Sequence, residues 1–228
     1  MYYHGTDKDS ARTIVETQSM RPSEGDSHWL GDGYYFYVDV EYAFRWILIK
    51  YTRNFSNEFS EDYGKIYEEY AVVSAELNIE EDRLFSMEDI KHKIIFIDTK
   101  KALCEKAEQS GRLREIIRKN SMVDGVVFNY LFKYARFGEK FDAVKAIFPI
   151  SYCFDNSRME FLPEPQICVK NVKIISDYKK YSEDIIPDEY KEFIEKYNQI
   201  KDDLKIKRLS KYKAPKKSIK YKKEELTR

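Results

Sequence analysis

The sequence predicts an α+β domain followed by a C-terminal helical and basic extension. Three observations lead there. Aromatic residues are abundant, with 19 Tyr and 14 Phe against 8 Gly and 6 Pro, a mixture that suits twisted, strand-rich sheets. Short strand-like and helix-like stretches alternate through residues 1–175. After Ile175 the composition shifts to charged and then basic residues. The 228 residues, 43% of them hydrophobic, suffice for one sizeable core, or one core plus an appendage. Formal net charge is zero, so overall charge implies no nucleic-acid or membrane partner.

Tyr2-Tyr3-His4-Gly5-Thr6 reads as a short strand carrying a histidine. Ser10 to Thr17 has helical spacing, with Ala11, Ile14 and Val15 on one face and Asp7 or Asp9 as N-cap. Gly31-Asp32-Gly33 is a turn running into the aromatic strand Tyr34-Tyr35-Phe36. Val40 to Tyr51 reads as a second helix, with Ala43, Trp46 and Ile47 apolar. Asn54 to Tyr63 is polar and acidic, an expected loop, and Tyr70 to Leu77 reads as a strand. Glu88-Asp89 opens a short helix, and Ala102 to Asn120 gives the clearest helical period, divided at Ser110-Gly111. Val123 to Phe128 is expected to be a turn entering a buried strand, and Ala143 to Ile150, then Tyr152 to Phe154, to give further strand character.

The order strand-His4-Gly5-Thr6, helix, loop, Gly31-x-Gly33-x-Tyr35-Phe36, helix resembles the NAD-dependent ADP-ribosyltransferases, in their diphtheria-toxin and PARP-like branch. That branch is marked by a His-Tyr-Glu triad spread over three strands. His4 with Gly5 and Thr6 matches the first motif, and Tyr35 the second. Ala43 falls where the family's next helix carries a small residue. The resemblance covers roughly residues 1–175 and implies a split, mostly antiparallel sheet with flanking helices. It also implies NAD as co-substrate, held by His4, Gly5, Thr6, Gly33, Tyr35 and Ala43. The Gly31-x-Gly33 pair is no dinucleotide fingerprint, because no third glycine opens a helix after it.

The chemistry accounts for these residue types. Nicotinamide leaves NAD through a transition state with oxocarbenium character, so both riboses need orienting and developing positive charge needs tolerating. A histidine hydrogen-bonds a ribose hydroxyl through one ring nitrogen. The Gly5 backbone, with no side chain in the way, pairs with the nicotinamide amide. A tyrosine ring stacks on the nicotinamide face.

The family's third motif is a strand opening with glutamate, whose carboxylate holds the nicotinamide ribose and stabilises the cation. Aligning Ile167-Cys168-Val169 with that strand puts Gln166 at the glutamate position. Glu164, two residues earlier, points to the same face of an extended chain, and Pro163 and Pro165 suit an edge or a strand entry. Glutamine brings no charge to oppose a cation. Either Glu164 supplies the carboxylate, or Gln166 serves without one, or the site is silent. A site with no confirmed glutamate points to mono-ADP-ribosylation rather than elongation into a polymer.

Cys104, Cys153 and Cys168 form no Cys-x-x-Cys pair, so neither zinc nor a disulfide framework follows, and no metal is expected. No stretch approaches the ~18 apolar residues of a membrane span, and no signal-like segment opens the sequence, so the expectation is a cytoplasmic protein. Tyr178 to Ile200 reads as a charged amphipathic helix with Tyr190, Phe193, Ile194 and Tyr197 as its stripe. Residues 201–228 then carry twelve Lys and Arg against four Asp and Glu, with Tyr212 and Tyr221 interleaved. Such a segment is either a solvated tail or a contact to phosphates and bases.

The expected organisation is thus a catalytic domain at 1–175 and an extension at 176–228. The expected activity is mono-ADP-ribosyl transfer to a macromolecule, nucleic acid (RNA or DNA) or protein. Small enzymes of this kind resemble the toxins of toxin–antitoxin and phage-defence systems, so an antitoxin or another subunit could dock on the C-terminal segment. The alternatives are NAD glycohydrolysis, RNA 2′-phosphotransfer, or a catalytically silent module binding NAD, ADP-ribose or nucleic acid.

Overall fold

The structure is a computed structural model and describes residues 1–25, 28–55, 66, 68–111, 124–149 and 163–181. The chain divides into two compact units, Met1–Ile186 and Pro187–Arg228, and every described residue belongs to the first. That unit is an α+β body built on one seven-stranded sheet. In chain order its elements are β1 (Tyr2–Asp7), α1 (Lys8–Thr17), β2 (Tyr34–Tyr37), α2 (Val40–Phe55), β3 (Tyr70–Leu77) and β4 (Leu84–Ser86). Then come α3 (Ile90–Gln109), α4 (Asp124–Lys133), β5 (Ala143–Pro149), β6 (Pro163–Val169) and β7 (Ile175–Lys180). The spatial order is β4-β5-β6-β2-β1-β3-β7, antiparallel throughout except for β4 beside β5.

The strand period sorts side chains onto two faces. Tyr34 and Phe36 of β2, Ile167 and Val169 of β6, and Ala71, Val73 and Ala75 of β3 meet Ala11 and Ile14 of α1. The opposite face carries Tyr35, Cys168, Val144, Ala146 and Phe85, packed under Phe96 of α3 and Val127, Phe128 and Leu131 of α4. Phe36, Phe44, Phe85 and Phe128 are almost fully buried, and each such ring stabilises the fold by several kcal/mol, roughly 3–5 when truncated to Ala.

Local signals place α1. Asp7 accepts a 2.8 Å hydrogen bond from the Ser10 N–H, the N-cap role open to either Asp7 or Asp9 in the sequence. Gln18, in the left-handed region at φ 50°, closes the helix. Its amide donates to the Tyr178 carbonyl at 2.8 Å and accepts from the Tyr178 N–H at 3.0 Å, which ties α1 to β7.

Three expectations are corrected. The strand expected up to Phe128 is not formed: Asp124–Lys133 is a helix, and Val123 lies outside the described residues. Its apolar residues run at i, i+1 and i+4, and Val127, Phe128 and Leu131 face the core together. The helix begun by Asp89 is not short but runs 20 residues from Ile90 to Gln109. Asp89 caps it through the Lys91 N–H, and it ends at Gln109, at the Ser110-Gly111 division expected in the Ala102 to Asn120 period. Tyr178, Lys179 and Lys180 are not helical. They lie in β7, paired with β3, so the sheet continues past the boundary drawn at 175.

β6 also differs in position from an edge strand, since it sits between β5 and β2. Its prolines are tolerated because β2 ends at Tyr37↔Gln166, so Pro163 and Pro165 have a strand on one side only. Most of the expected 54–63 loop, residues 112–120, the Tyr152 to Phe154 strand, the remainder of the 178–200 helix and the basic 201–228 segment lie outside the described residues.

Candidate functional site

The seam between β1 and β2 is the weakest junction of the sheet and the place where His4 reaches the Tyr35 backbone. β1 pairs with β3 along six residues but with β2 at one position, Tyr3↔Tyr37. Beyond it the strands diverge, and the His4 ring fills the opening. Nδ1 lies 2.8 Å from the Tyr35 carbonyl oxygen. A carbonyl only accepts, so Nδ1 carries the hydrogen and donates it, which leaves Nε2 as a lone-pair acceptor. Burial lowers the His4 pKa, against the opposing pull of the Tyr35 carbonyl and Asp7, so the ring is neutral at neutral pH. Phe36 and Trp46 flank it, with ring centroids at 6.2 and 6.4 Å.

His4 opens onto a cleft of about 370 Å³ along α1, lined also by Thr6, Asp9, Ser10, Thr13 and Arg21. The lining is mostly hydroxyl and charged groups, with Ile14 and Met20 as its apolar part. One imidazole acceptor, several hydroxyls and one guanidinium suit a sugar and a phosphate.

Gly5 follows on the other face, where α2 crosses. A Cβ there would lie 2.7 Å from the Ala43 carbonyl and 2.9 Å from the Ile47 side chain. Glycine at position 5 and the small, fully buried Ala43 together let α2 approach the strand. Ala43 therefore acts through packing.

Tyr35 is placed by its hydroxyl, which donates to the Gly31 carbonyl at 2.6 Å and accepts from the Leu30 N–H at 3.0 Å. Burial pushes its pKa far above the ordinary value. The loop it holds is clamped from all sides. Lys170 donates to the Leu30 and Asp32 carbonyls at 2.6 and 2.5 Å, and Asp32 meets Lys133 at 2.5 Å and Asn129 at 3.0 Å. Gly31 adopts φ +75°, and an added Cβ would strike the Asn129 side chain at 2.5 Å. Gly33 exchanges two backbone hydrogen bonds with Ser23, at 2.8 and 2.9 Å. Lys170 and Asn129 carry no motif, and sequence reasoning passed over both. Cys168, buried in the same cluster, is a packed thiol.

The third motif position resolves into a network on the face that also carries Tyr35. Register places Tyr37 beside Gln166, and Glu164 one pleat further along β6. Glu164 and Gln166 are both buried, at 3% and 8% exposure. The Gln166 amide donates to Glu164 Oε1, and Arg45 of α2 donates to Glu164 Oε2 at 2.5 Å. Burial pushes the Glu164 carboxyl up, while Arg45, Gln166 and Tyr37 pull against it. Arg45, like Lys170 and Asn129, is a residue that the sequence reading missed. The one available signal was its place, two residues after Ala43 on the same helix.

The predicted residues thus fall into two groups. By its pleat His4 belongs with Thr6 on the α1 face, while the side chains of Tyr35, Gln166 and Glu164 belong to the other. Among the described residues no group of three or more His, Cys, Asp or Glu could hold a metal ion, and no helix is long and apolar enough to cross a membrane.

Over 222 residues the chain is 34% identical to the protein described as "Uncharacterized protein MJ0359" of Methanocaldococcus jannaschii, covering 90% of this chain and 96% of that one. The chain belongs to the MJ0359 family. No family model matches the chain, and no solved structure matches it. The MJ0359 likeness therefore extends over nearly the whole length of both proteins.

Proposed function

We propose that this member of the MJ0359 family is an NAD-dependent mono-ADP-ribosyltransferase with a split sheet. The observation that carries the reading is the seam. His4 sits where β1 and β2 part, spends Nδ1–H on the Tyr35 carbonyl, leaves Nε2 as an acceptor, and lines the cleft along α1. That nitrogen suits the hydroxyl of a ribose, Thr6 lies two residues further along the same strand face, and the Arg21 guanidinium suits the pyrophosphate. The dinucleotide would lie with its adenosine end on the α1 face and its nicotinamide end across the seam, toward Tyr37, Gln166 and Glu164.

On that face Glu164 supplies the negative charge and Gln166 fixes its orientation. The glycosidic bond breaks with its electron pair passing to nicotinamide, while the acceptor's O–H or N–H nucleophile bonds to the same ribose carbon and gives up its proton to solvent. Glu164 lies opposite the developing positive charge. Arg45 holds the carboxylate in place and partly neutralises it.

A silent binding module is the second reading. One observation favours it: the Glu164 carboxylate is already paired with Arg45, and Gln166 has no charge. The test is incubation of the full chain with adenylate-labelled NAD and separate pools of RNA, single-stranded DNA and protein, following nicotinamide release and label transfer together. Transfer into one pool is expected. Retention of NAD with no release would overturn the transferase reading in favour of the silent module.

A further inference from the structure

Helix α3 is apolar on two sides. Inward, Phe96 packs against Phe128 of α4 with ring centroids 4.9 Å apart, and His92 stacks on Phe85 at 4.5 Å. Outward, Ile90, Ile94 and Ile97 are exposed at 67%, 53% and 61%. Their i, i+4, i+7 spacing aligns them in one stripe two turns long. A surface helix ordinarily buries one apolar stripe and turns polar residues outward. Here a second stripe faces out, and apolar side chains clustered in this way mark an interface, unlike singly scattered ones.

Charge beside the stripe identifies what covers it. Lys91 and Asp98 lie seven residues apart, hence on the same flank of the isoleucines, and both are exposed. Neither side chain forms an ion pair among the described residues. An antiparallel copy of the helix, related by a two-fold axis at Ile94, sets Ile94 against Ile94, Ile90 against Ile97, and Lys91 level with Asp98. In an antiparallel pair like flanks adjoin, so the lysine of each copy meets the aspartate of the other. The symmetry makes that contact twice.

We infer that the outer face of α3 is a self-association surface, on which two copies of this chain pack their isoleucine stripes antiparallel about Ile94. A bilayer is the competing cover, and it favours cations along the stripe. Asp98 interrupts them, and residues 1–186 hold more Asp and Glu than Lys and Arg, a balance that an anionic membrane repels. Three isoleucines a side make a smaller interface than the roughly 1,200–2,000 Å² of stable complexes. Lys93, half-buried on the other flank, comes near its own copy and limits the affinity further. The dimer is therefore weak and depends on concentration.

The test is sedimentation equilibrium of the full chain from about 5 to about 500 μM. A monomer–dimer equilibrium is expected, with dimer predominating at the top of that range. Ile94→Glu should weaken it at least about tenfold and leave the thermal melt unchanged, because the side chain is exposed. Lys91→Glu and Asp98→Lys should each weaken the dimer about fivefold, and the two together should restore it to within about twofold. Oxidation reads the orientation. Ile94→Cys should cross-link two chains beyond the wild-type background, since a disulfide needs Cα atoms about 5.5 Å apart. Ile90→Cys, displaced about 12 Å along the helix from its own copy, should not. A monomer at about 500 μM overturns the inference. So does a dimer indifferent to Ile94→Glu, one that the paired charge exchange fails to restore, or equal cross-linking by Ile90→Cys. A monomer that pellets with phosphatidylglycerol vesicles, and ceases to in Ile94→Glu, overturns it in favour of a membrane surface.

Discussion

The His4 imidazole donates its Nδ1–H to the carbonyl of Tyr35, 31 residues away, at 2.8 Å. The bond spans the place where β1–β2 pairing stops, so one side chain both bridges the two strands and lines the cleft along α1. His4→Ala should remove about 1–3 kcal/mol of stability, the cost of leaving the carbonyl unpaired at a partly buried site. Nicotinamide release should fall at least a hundredfold. Urea denaturation and nicotinamide quantification on the same protein check both. An unaltered release rate would sink the role given to His4.

The same ring sets a pH dependence. Its folded pKa lies below the ordinary 6.5. The unfolded chain therefore takes up a proton first as pH falls below about 6.5, and stability declines from there until the folded ring titrates too. Above about 6.5 both states hold a neutral ring and the contribution is flat. Denaturation midpoints from pH 8 to pH 5 should show this slope in the wild-type protein and lose it in His4→Gln.

Arg45 and Glu164 form a pair whose halves are 17% and 5% exposed. Arg45→Met strands a buried carboxylate and should cost about 3–5 kcal/mol. Glu164→Gln removes the charge and the proposed chemistry together, leaving the Arg45 guanidinium partly able to reach solvent. The double variant should be more stable than the sum of the two losses implies. Additivity within about 0.5 kcal/mol would show that the pair is not coupled.

Asp142 accepts two hydrogen bonds from Arg83, at 2.5 and 2.9 Å, and one from Asn171 at 2.8 Å. These hold its carboxyl below the usual carboxylate range, the Arg83 bond contributing most. A lowered folded pKa stabilises above the unfolded value, and the contribution is lost as pH falls from there through the folded pKa. Asp142→Asn should therefore flatten the acid limb of the stability profile below about pH 4. An unchanged limb would exclude this pair as its source.

Two glycines offer a controlled comparison. A Cβ at Gly125 would sit 1.7 Å from the His28 carbonyl, whereas one at Gly111 meets nothing within 4 Å. Gly125→Ala should push α4 off the loop that carries Trp29 and Gly31, costing about 2–3 kcal/mol or more by overpacking. Gly111→Ala should cost about 1–2 kcal/mol, from its φ of +68° alone. Comparable losses in thermal melts would show that the α4 contact is not the tight one.

Much of the frame was legible from local pattern. The Asp7 cap, the α1 stripe, the Tyr70–Leu77 strand and the apolar Ala143–Pro149 run each follow from residues within a few positions of one another. Local pattern failed where the signal was ambiguous. Val126-Val127-Phe128 is β-rich in composition, yet α4 forms because Leu131 completes a helical face over Phe85 and Phe96. Tyr178 to Lys180 carried a helical period, but β3 offered an open edge whose hydrogen bonds outweighed it.

By itself the sequence determined which residue types were available at the motif positions: a histidine, a glycine and a tyrosine in short strands, and a glutamine with a glutamate two residues before it. Only the tertiary structure decided how they are used. It turned the His4 and Tyr35 side chains to opposite faces of one sheet, paired Glu164 with Arg45 from 119 residues away, and set Trp29 on Phe148. Those are long-range contacts, fixed by strand register and by which helix crosses which face. Neither is written in the spacing of residues along the chain.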